Sequence, residues 1–142
     1  LREARLEGAD LSEARLEGAD LIGARLEGAD LSWAQFQSAE WTGATFSASP
    51  AHSADFSAGE NLTQTQLAQV IGDDATILPR DAETGRQLHV WACWEEEAAE
   101  TFVQLYTQHR EGVTADQLWE WIRDNAWVCA DGLEPLPVLG KR

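Results

Sequence analysis

A large apolar residue recurs at every fifth position through the first 56 residues, with one exception at Ala51. An alanine stands two residues before nearly every member of this row, and only Ser49 interrupts it. A period of five fits neither an α-helix (3.6) nor a β-strand (2). The chain must therefore turn a corner every five residues and wind into a solenoid. The row consists of Leu1, Leu6, Leu11, Leu16, Leu21, Leu26, Leu31, Phe36, Trp41, Phe46, Ala51 and Phe56.

Four of these pentads share a tighter pattern, an alanine followed by aspartate and then leucine or phenylalanine. They are Ala9-Asp10-Leu11, Ala19-Asp20-Leu21, Ala29-Asp30-Leu31 and Ala54-Asp55-Phe56. Residues 1–58 thus resemble the pentapeptide-repeat family, whose pattern is A(D/N)Lxx. The resemblance implies a right-handed, quadrilateral β-helix with one pentad per side, twenty residues per coil and about three coils. The segment that continues to about residue 79 is similar to the cap that follows the repeats in bacterial members.

A coil of twenty residues predicts which side chains stack. Asp10 should lie beneath Asp30, and Asp20 beneath Glu40, in like-charge columns spaced by about 4.8 Å. One interpretation is an anionic stripe that binds a basic partner. The other is that these are solvated polar positions with no partner, and the sequence favours this second interpretation.

The repeat weakens towards its end. Pro50 has no backbone donor to contribute to strand pairing, so we expect residues 47–53 to loop out. Residues 59–79 should then form a capping helix and turn, since a solenoid end needs a cap. Thr63 and Gln66 have the spacing of a capping box that would begin this helix, and Gly72 would end it.

We expect a linker at 80–86 and a Trp-rich helical hairpin with an extended tail at 87–142. A short strand over 88–93 precedes a helix from Trp94 to Arg110. A second helix runs from Thr114, with Gln117 completing a capping box, to Gly132. The hairpin should pack on the solenoid end or on a part outside this sequence, and we recognise no family in it.

The tryptophans of the second helix divide between its two sides. Trp121 falls on the apolar side, with Leu118 and Ile122, whereas Trp119 and Trp127 fall off it. Because surface tryptophans are favoured interface anchors, Trp119 and Trp127 are the candidate partner-binding residues of this region. They join the four acidic candidates Asp10, Asp20, Asp30 and Glu40.

No residue pattern predicts a catalytic or metal site. Ser49, His52 and Ser53 lack a glycine-rich elbow, so we expect no enzyme. A zinc site would need the four side chains His89, Cys93, His109 and Cys129, but no CxxC or HxxxH pair supports it. We therefore expect no metal and no cofactor. Two cysteines are too few for a disulfide framework, so free thiols in a reducing cytoplasm are expected, with a Cys93–Cys129 disulfide as the alternative.

The charge excludes some partners. The chain carries 25 acidic and 10 basic residues, for a net charge of −15, and it has no run of Lys and Arg. Direct nucleic-acid binding is disfavoured because it depends on cationic contacts. No apolar stretch approaches the roughly 20 residues that span a bilayer.

The sequence thus predicts a non-catalytic protein–protein interaction module. An acidic repeat rod would present the Trp-rich region to a protein with a basic or apolar surface. Because the sequence opens inside a repeat, we expect it to belong to a larger bacterial protein. The family resemblance supplies an alternative, a DNA mimic that binds a type II topoisomerase, and the rod could also be only a spacer.

Overall fold

A computed structural model describes residues 1–108, 110–130 and 134–139 of the chain. In the first 60 residues each pentad forms two turn residues and one β-bridge residue. The bridges join positions twenty apart in parallel, as in Arg5–Arg25–Thr45. Between coils, Leu6 N–H donates to Arg25 O at 2.7 Å, and Arg25 N–H donates to Ala4 O at 2.9 Å. The segment is a β-solenoid, and the offset of twenty is the one that the family resemblance implies.

The interior of this repeat segment is filled by the residues that recur every five positions. Leu21, Leu26 and Leu31 are fully buried, as is the alanine row from Ala24 onward. In the first coil Leu6, Leu11 and Leu16 are only partly buried, because no coil covers them from the other side. Four aromatic rings pack together in the later coils, with neighbouring centroids 5.0 to 6.5 Å apart. They belong to Phe36, Trp41, Phe46 and Phe56.

The expected loop over residues 47–53 is wrong. The pentad pattern continues through it, since Pro50 loses a donor but keeps its acceptor: Leu31 N–H donates to Pro50 O at 2.8 Å. Ser49, which replaces the alanine, is fully buried, and its hydroxyl donates to Leu26 O at 2.9 Å. Because the buried hydroxyl has a hydrogen-bond partner, it avoids the desolvation penalty of an unpaired polar group. The coil therefore accepts both Ser49 and Pro50.

The expected capping helix over 59–79 is also wrong, because residues 64–69 form turns and not a helix. Leu62 and Leu67 are fully buried and still five apart, so they continue the solenoid period. The capping-box contacts do form, with Thr63 N–H donating to Gln66 Oε1 at 2.8 Å. They fix a turn in which Gln66 Nε2 donates to Trp41 O at 2.8 Å and to Ala44 O at 2.9 Å. The segment caps by supplying an amide to carbonyls of the last coil.

Residues 80–86, predicted as a linker, form a closed turn. Arg80 and Gln87 make an antiparallel bridge across it. The side chain of Asp81 is buried and accepts hydrogen bonds from Glu83 N–H at 2.7 Å and Thr84 N–H at 2.9 Å. Acceptance from the following backbone amides is the usual way that aspartate stabilises a turn.

The rest of the described chain holds two short strands and two helices. Strand β1 is Val90–Trp91 and pairs antiparallel with β2, Pro137–Val138. Helix α1 is Glu96–Gln108 and helix α2 is Ala115–Asp124. The capping box of Thr114 is confirmed, but α2 ends well before Gly132, because Ala126 adopts φ +55°. Gly132 and His109 lie outside the described residues.

The two helices lie along the side of the solenoid and not on its end, which corrects the expected placement. The contact stripe is one column of small residues, Gly8, Gly28 and Ala48. A Cβ on Gly8 would lie 2.0 Å from Leu105 O, and one on Gly28 would lie 2.7 Å from Leu105 Cβ. Only small residues let α1 approach the coils this closely. At the Ala48 end of the stripe, Ala48 and Ile71 join a buried cluster with residues of the helical region. These residues are Trp94, Ala98, Ala99, Phe102, Val103, Leu118, Ile122 and Trp127.

A Cys93–Cys129 disulfide fastens the helical region at its base. This corrects the expectation of free thiols. The two cysteines lie beside a parallel bridge between Trp94 and Val128, in which Trp94 N–H donates to Trp127 O at 2.7 Å. The bond therefore joins the chain before α1 to the chain after α2. Neither helix of the described residues is long and apolar enough to cross a membrane.

The glycine stripe leads to a matched pair of substitutions. Gly18 and Gly28 both have φ +69°, but a Cβ on Gly18 would meet nothing within 4 Å. Gly18→Ala should cost about 1 kcal/mol through left-handed strain alone. Gly28→Ala should cost about 1–3 kcal/mol more, since it also overpacks against Leu105. Urea unfolding of both variants measures the difference, and equal losses would contradict the docking of α1 on this stripe.

The disulfide gives a second prediction. It closes a loop with a sequence separation of 36, for which the loop-entropy relation gives about 4 kcal/mol. The Cys93→Ser/Cys129→Ser double variant should lose stability of this order relative to the oxidised protein in denaturant titrations. Reductant should destabilise the wild type and leave the double variant unchanged. An oxidised protein indifferent to reductant would show that the bond does not constrain the unfolded chain.

Candidate interaction surface

Each acidic candidate on the repeat segment accepts a hydrogen bond from a backbone amide at a corner of the coil. The Oδ1 atom of Asp10 accepts the N–H of Ser12 at 3.0 Å, and Asp30 Oδ1 accepts that of Ser32 at 3.0 Å. The same contact, from a carboxylate to the amide two residues later, recurs at Asp20, Glu40 and Asp55. The acids therefore stabilise turns, whatever else they bind.

The predicted columns are confirmed, but they are not free anionic stripes. Asp10 bridges Asp30, and Asp20 bridges Glu40, each twenty residues apart. Arg2 pairs with Asp20 at 2.8 Å, and its hydrogen bond lowers the pKa of that carboxyl. Hydrogen bonds from Thr42 and Asn61 likewise lower the pKa of Glu40. Much of the charge on these columns is thus already compensated within the chain.

The Asp10–Asp30 column lies beside the helical region. The guanidinium of Arg110 lies 3.8 Å from Asp10 Oδ2 and 4.1 Å from the centre of the Tyr106 ring. Asp30 is half-buried, and its pKa is raised by desolvation, against which the Ser32 hydrogen bonds act. This column therefore holds the end of α1 in place through Arg110, while Asp30 faces a crevice between the repeats and the helices.

The structure reverses the predicted roles of the tryptophans. Trp127, proposed as a surface anchor, is only 6% exposed and packs against His52, Trp94 and Trp121. Trp119 is partly buried, with Arg123 5.5 Å from its ring centre. The exposed tryptophans are Trp33, at 63%, and Trp121, at 44%. The anchor prediction for Trp127 is thus wrong, because that ring fills the junction between helices and coils.

Sequence reasoning missed Trp33 and Trp121 for different reasons. Trp33 occupies the third position of its pentad, where its φ is +64°. At this position the side chain of each pentad points outward from the corner of the coil. That signal was available, because small, polar or glycine residues fill this position in the other pentads. Trp121 lies on the apolar side of α2, next to the buried Ile122, but at the margin of the contact with the coils.

The residues considered for zinc are not brought together as ligands. Cys93 and Cys129 are consumed by the disulfide, and the ring of His89 lies edge-on to Trp91, with centroids 4.9 Å apart. His109 falls outside the described residues. Within the described ranges no group of three or more histidine, cysteine or acidic side chains is arranged to hold a metal ion.

His52 stands at the junction of the two halves of the molecule. Its ring stacks on Trp127 with centroids 4.8 Å apart, and its Nδ1 is buried without a hydrogen-bond partner. Burial lowers the pKa of His52, although the charge of Asp73 acts in the opposite direction. The imidazole is therefore a neutral packing element between a coil and the helical region.

Comparison with known protein families identifies the first part of the repeat segment. The model of the family described as pentapeptide repeats matches residues 1–37, with eight copies. Residues 1–37 are pentapeptide repeats. The match agrees with the parallel ladder of period twenty that runs through the same residues. Among curated proteins none matches the chain.

Two solved structures are similar to about half of the chain. One is the pentapeptide repeat protein Rfr23 from the cyanobacterium Cyanothece 51142, at 27% identity and a TM-score of 0.28, over 53% of this chain and 44% of that one. The other is HetL from the cyanobacterium Nostoc sp. strain PCC 7120, a pentapeptide repeat protein involved in heterocyst differentiation regulation. It is 25% identical, with a TM-score of 0.35, over 54% of this chain and 45% of that one. The chain spans less than half the length of either protein.

The buried imidazole predicts that stability falls with acidification. Because the pKa of His52 in the folded state lies below its ordinary 6.5, the unfolded chain binds the proton first as the pH falls. The stabilising effect is complete above about pH 6.5 and decreases below it, by at most about 1.4 kcal/mol per pH unit. Urea unfolding between pH 7.5 and 5.5 measures how the free energy of unfolding changes with pH. This change should be smaller in His52→Gln than in the wild type.

A companion variant separates the effects of the two partly buried histidines, His52 and His89. Burial also lowers the pKa of His89, so His89→Gln should remove a further part of the pH dependence of the unfolding free energy. A pH dependence of the unfolding free energy that is unchanged in His52→Gln would mean that the pKa of His52 is the same in the folded and unfolded chain, which would contradict the lowered pKa.

Proposed function

We propose that this chain is a non-catalytic protein–protein interaction module. In it, an acidic rod of pentapeptide repeats, a right-handed β-helix of about three coils, presents a Trp-rich helical region to a protein partner. The observation that carries the proposal is the exposure of two large aromatic side chains, Trp33 and Trp121. Such residues are favoured interface anchors. The repeat family supports it, since pentapeptide repeat proteins are generally non-catalytic interaction modules.

The two exposed tryptophans belong to adjoining parts of the surface. Trp33 N–H donates to His52 O at 2.8 Å, and the His52 ring stacks on Trp127. The ring centroids of Trp127 and Trp121 are 4.3 Å apart. A continuous series of contacts thus links the corner that bears Trp33 to the exposed edge of α2, and one partner could cover both.

The side chains considered for catalysis support a non-catalytic role. The Ser49 hydroxyl is buried and donates to Leu26 O. The His52 ring is held against Trp127, and the hydroxyl of Ser53 lies 3.4 Å from Asp73 Oδ2. A nucleophile needs a base within hydrogen-bond reach in an open cleft, and these three side chains are each engaged elsewhere.

The partner is expected to be a protein with a basic or apolar surface. A net charge of −15 favours encounter with a positive surface through long-range steering, and it disfavours direct nucleic-acid binding. Membership of a larger bacterial protein and a cytoplasmic location stay predictions. The disulfide weighs against the location, because such bonds persist mainly in oxidising compartments.

The alternative, a DNA mimic for a type II topoisomerase, is less well supported. A mimic needs uncompensated negative charge along the rod. Arg2 and Arg110 neutralise part of both acidic columns, and the helices cover one side of the coils along Gly8, Gly28 and Ala48. A supercoiling assay with gyrase remains the direct test of this alternative.

The proposal predicts that truncating the exposed aromatics weakens partner binding. The full chain, cross-linked in the source cell and analysed by mass spectrometry, would identify the partner, and calorimetry with purified proteins would then give the affinity. Trp33→Ala or Trp121→Ala should each raise Kd about 30-fold, the loss expected for a hot spot of 2 kcal/mol.

Matched controls remove neighbouring exposed side chains. Ser38→Ala changes the same corner position in the next pentad, and Glu120→Ala changes the residue beside Trp121. Both should bind like the wild type. If both tryptophan variants also bind like the wild type, the aromatic surface is not the interface.

A further inference from the structure

A crevice of about 330 Å³ lies between the repeat segment and the helical region. This volume is at the small end of the range for ligand sites, so it suits one side chain better than a drug-sized molecule. Asp30 is the only acidic residue in it, and aromatic and neutral side chains form the rest. The lining residues are Asp30, Phe102, Tyr106, Val113, Gln117, Leu118 and Trp121.

The carboxylate in this crevice has no ion-pair partner among the described residues. Asp30 accepts the Ser32 N–H through Oδ1. Arg110 pairs with Asp10, and its charge lowers the pKa of Asp30 less than burial raises it. A half-buried carboxylate without a cation is costly, and its raised pKa reflects that cost. A cation from outside would relieve it.

The same molecule already holds one guanidinium between a carboxylate and a ring. Arg110 lies against Asp10 and over Tyr106, one coil away from Asp30 along the same column. In the crevice Trp121 supplies the equivalent aromatic surface, 44% exposed. Arginine suits such a site better than lysine, because its planar guanidinium can stack on a ring while it pairs with a carboxylate.

We propose that this crevice binds an arginine side chain of the partner protein, which pairs with Asp30 and stacks on Trp121. The inference rests on the proposed function and names the chemistry by which the partner is recognised. A metal ion is a poorer occupant, because the described residues contain no group of three or more acidic, histidine or cysteine side chains that could hold one. The acidic charge of the whole chain favours approach of a basic segment.

The test is a titration of the full, isotope-labelled chain with two short peptides, followed by NMR. One acetylated and amidated Gly/Ser peptide carries a single central arginine, and the other carries citrulline, which has nearly the same shape without the charge. The arginine peptide should shift the indole N–H signal of Trp121 saturably. The citrulline peptide should bind at least tenfold more weakly, and 0.5 M salt should weaken the binding of the arginine peptide.

Two variants with matched controls locate the site. Asp30→Asn keeps the acceptor for Ser32 N–H and should still lower the affinity for the arginine peptide at least tenfold. Trp121→Leu should have the same effect. Glu83→Gln makes the same change of charge on the exposed 81–86 turn, and Trp33→Leu removes the other exposed tryptophan. Neither control should alter the affinity. Unchanged signals from the buried alanine row verify that each variant is folded.

The results that overturn the proposal are equally definite. They are the absence of a saturable shift at Trp121, equal binding of the two peptides, or wild-type affinity in Asp30→Asn. Failure here is distinguishable from failure of the proposed function. A purified partner that binds Asp30→Asn normally but loses affinity for Trp33→Ala would leave the interaction module intact and remove the crevice from its interface.

Discussion

The hydrogen-bond ladder of period twenty is the constraint on which the rest of the molecule depends. Each inward leucine donates to a carbonyl one coil above, so five-residue sides must stay in register from coil to coil. A single inserted residue would turn the inward row outward, as a slip does in any β-structure. The left-handed third residue of each pentad keeps every side at five residues, and at five corners an acid that accepts the amide two residues later reinforces the turn.

These devices change how the acidic surface should be interpreted. The row of aspartates looks like a binding stripe in the sequence, but each carboxylate already accepts a corner amide. Asp10 and Asp20 also pair with Arg110 and Arg2. Asp30 differs because it is buried beside the helices, and this desolvation raises its pKa, whereas hydrogen bonds lower the pKa values of Asp20 and Glu40. Its neighbours, more than its place in the row, make it a candidate for function.

The repeat segment could be predicted from the sequence because its pattern is purely local. The rest depends on tertiary contacts. Thr63 and Gln66 form their predicted hydrogen bonds, but the next apolar residues are spaced by five and stay in the solenoid, so no helix follows. Whether Trp121 or Trp127 is buried depends on how α2 meets His52, which no pattern within α2 reveals. The disulfide was undecidable from the sequence because pairing requires Cys93 and Cys129 to be neighbours in space.

The docked helices and the crevice have a common origin in the column Gly8, Gly28 and Ala48. Glycine at Gly8 and Gly28 lets Leu105 lie almost on the backbone of the coils, which brings the far end of α1 close to Asp10 and Asp30. Further along the same side, Ala48 and Ile71 share one buried cluster with Trp94 and Phe102. Residues of both helices, among them Tyr106 of α1 and Trp121 of α2, line the crevice beside Asp30. The crevice thus lies on the side of the coils where the small residues of one column admit α1.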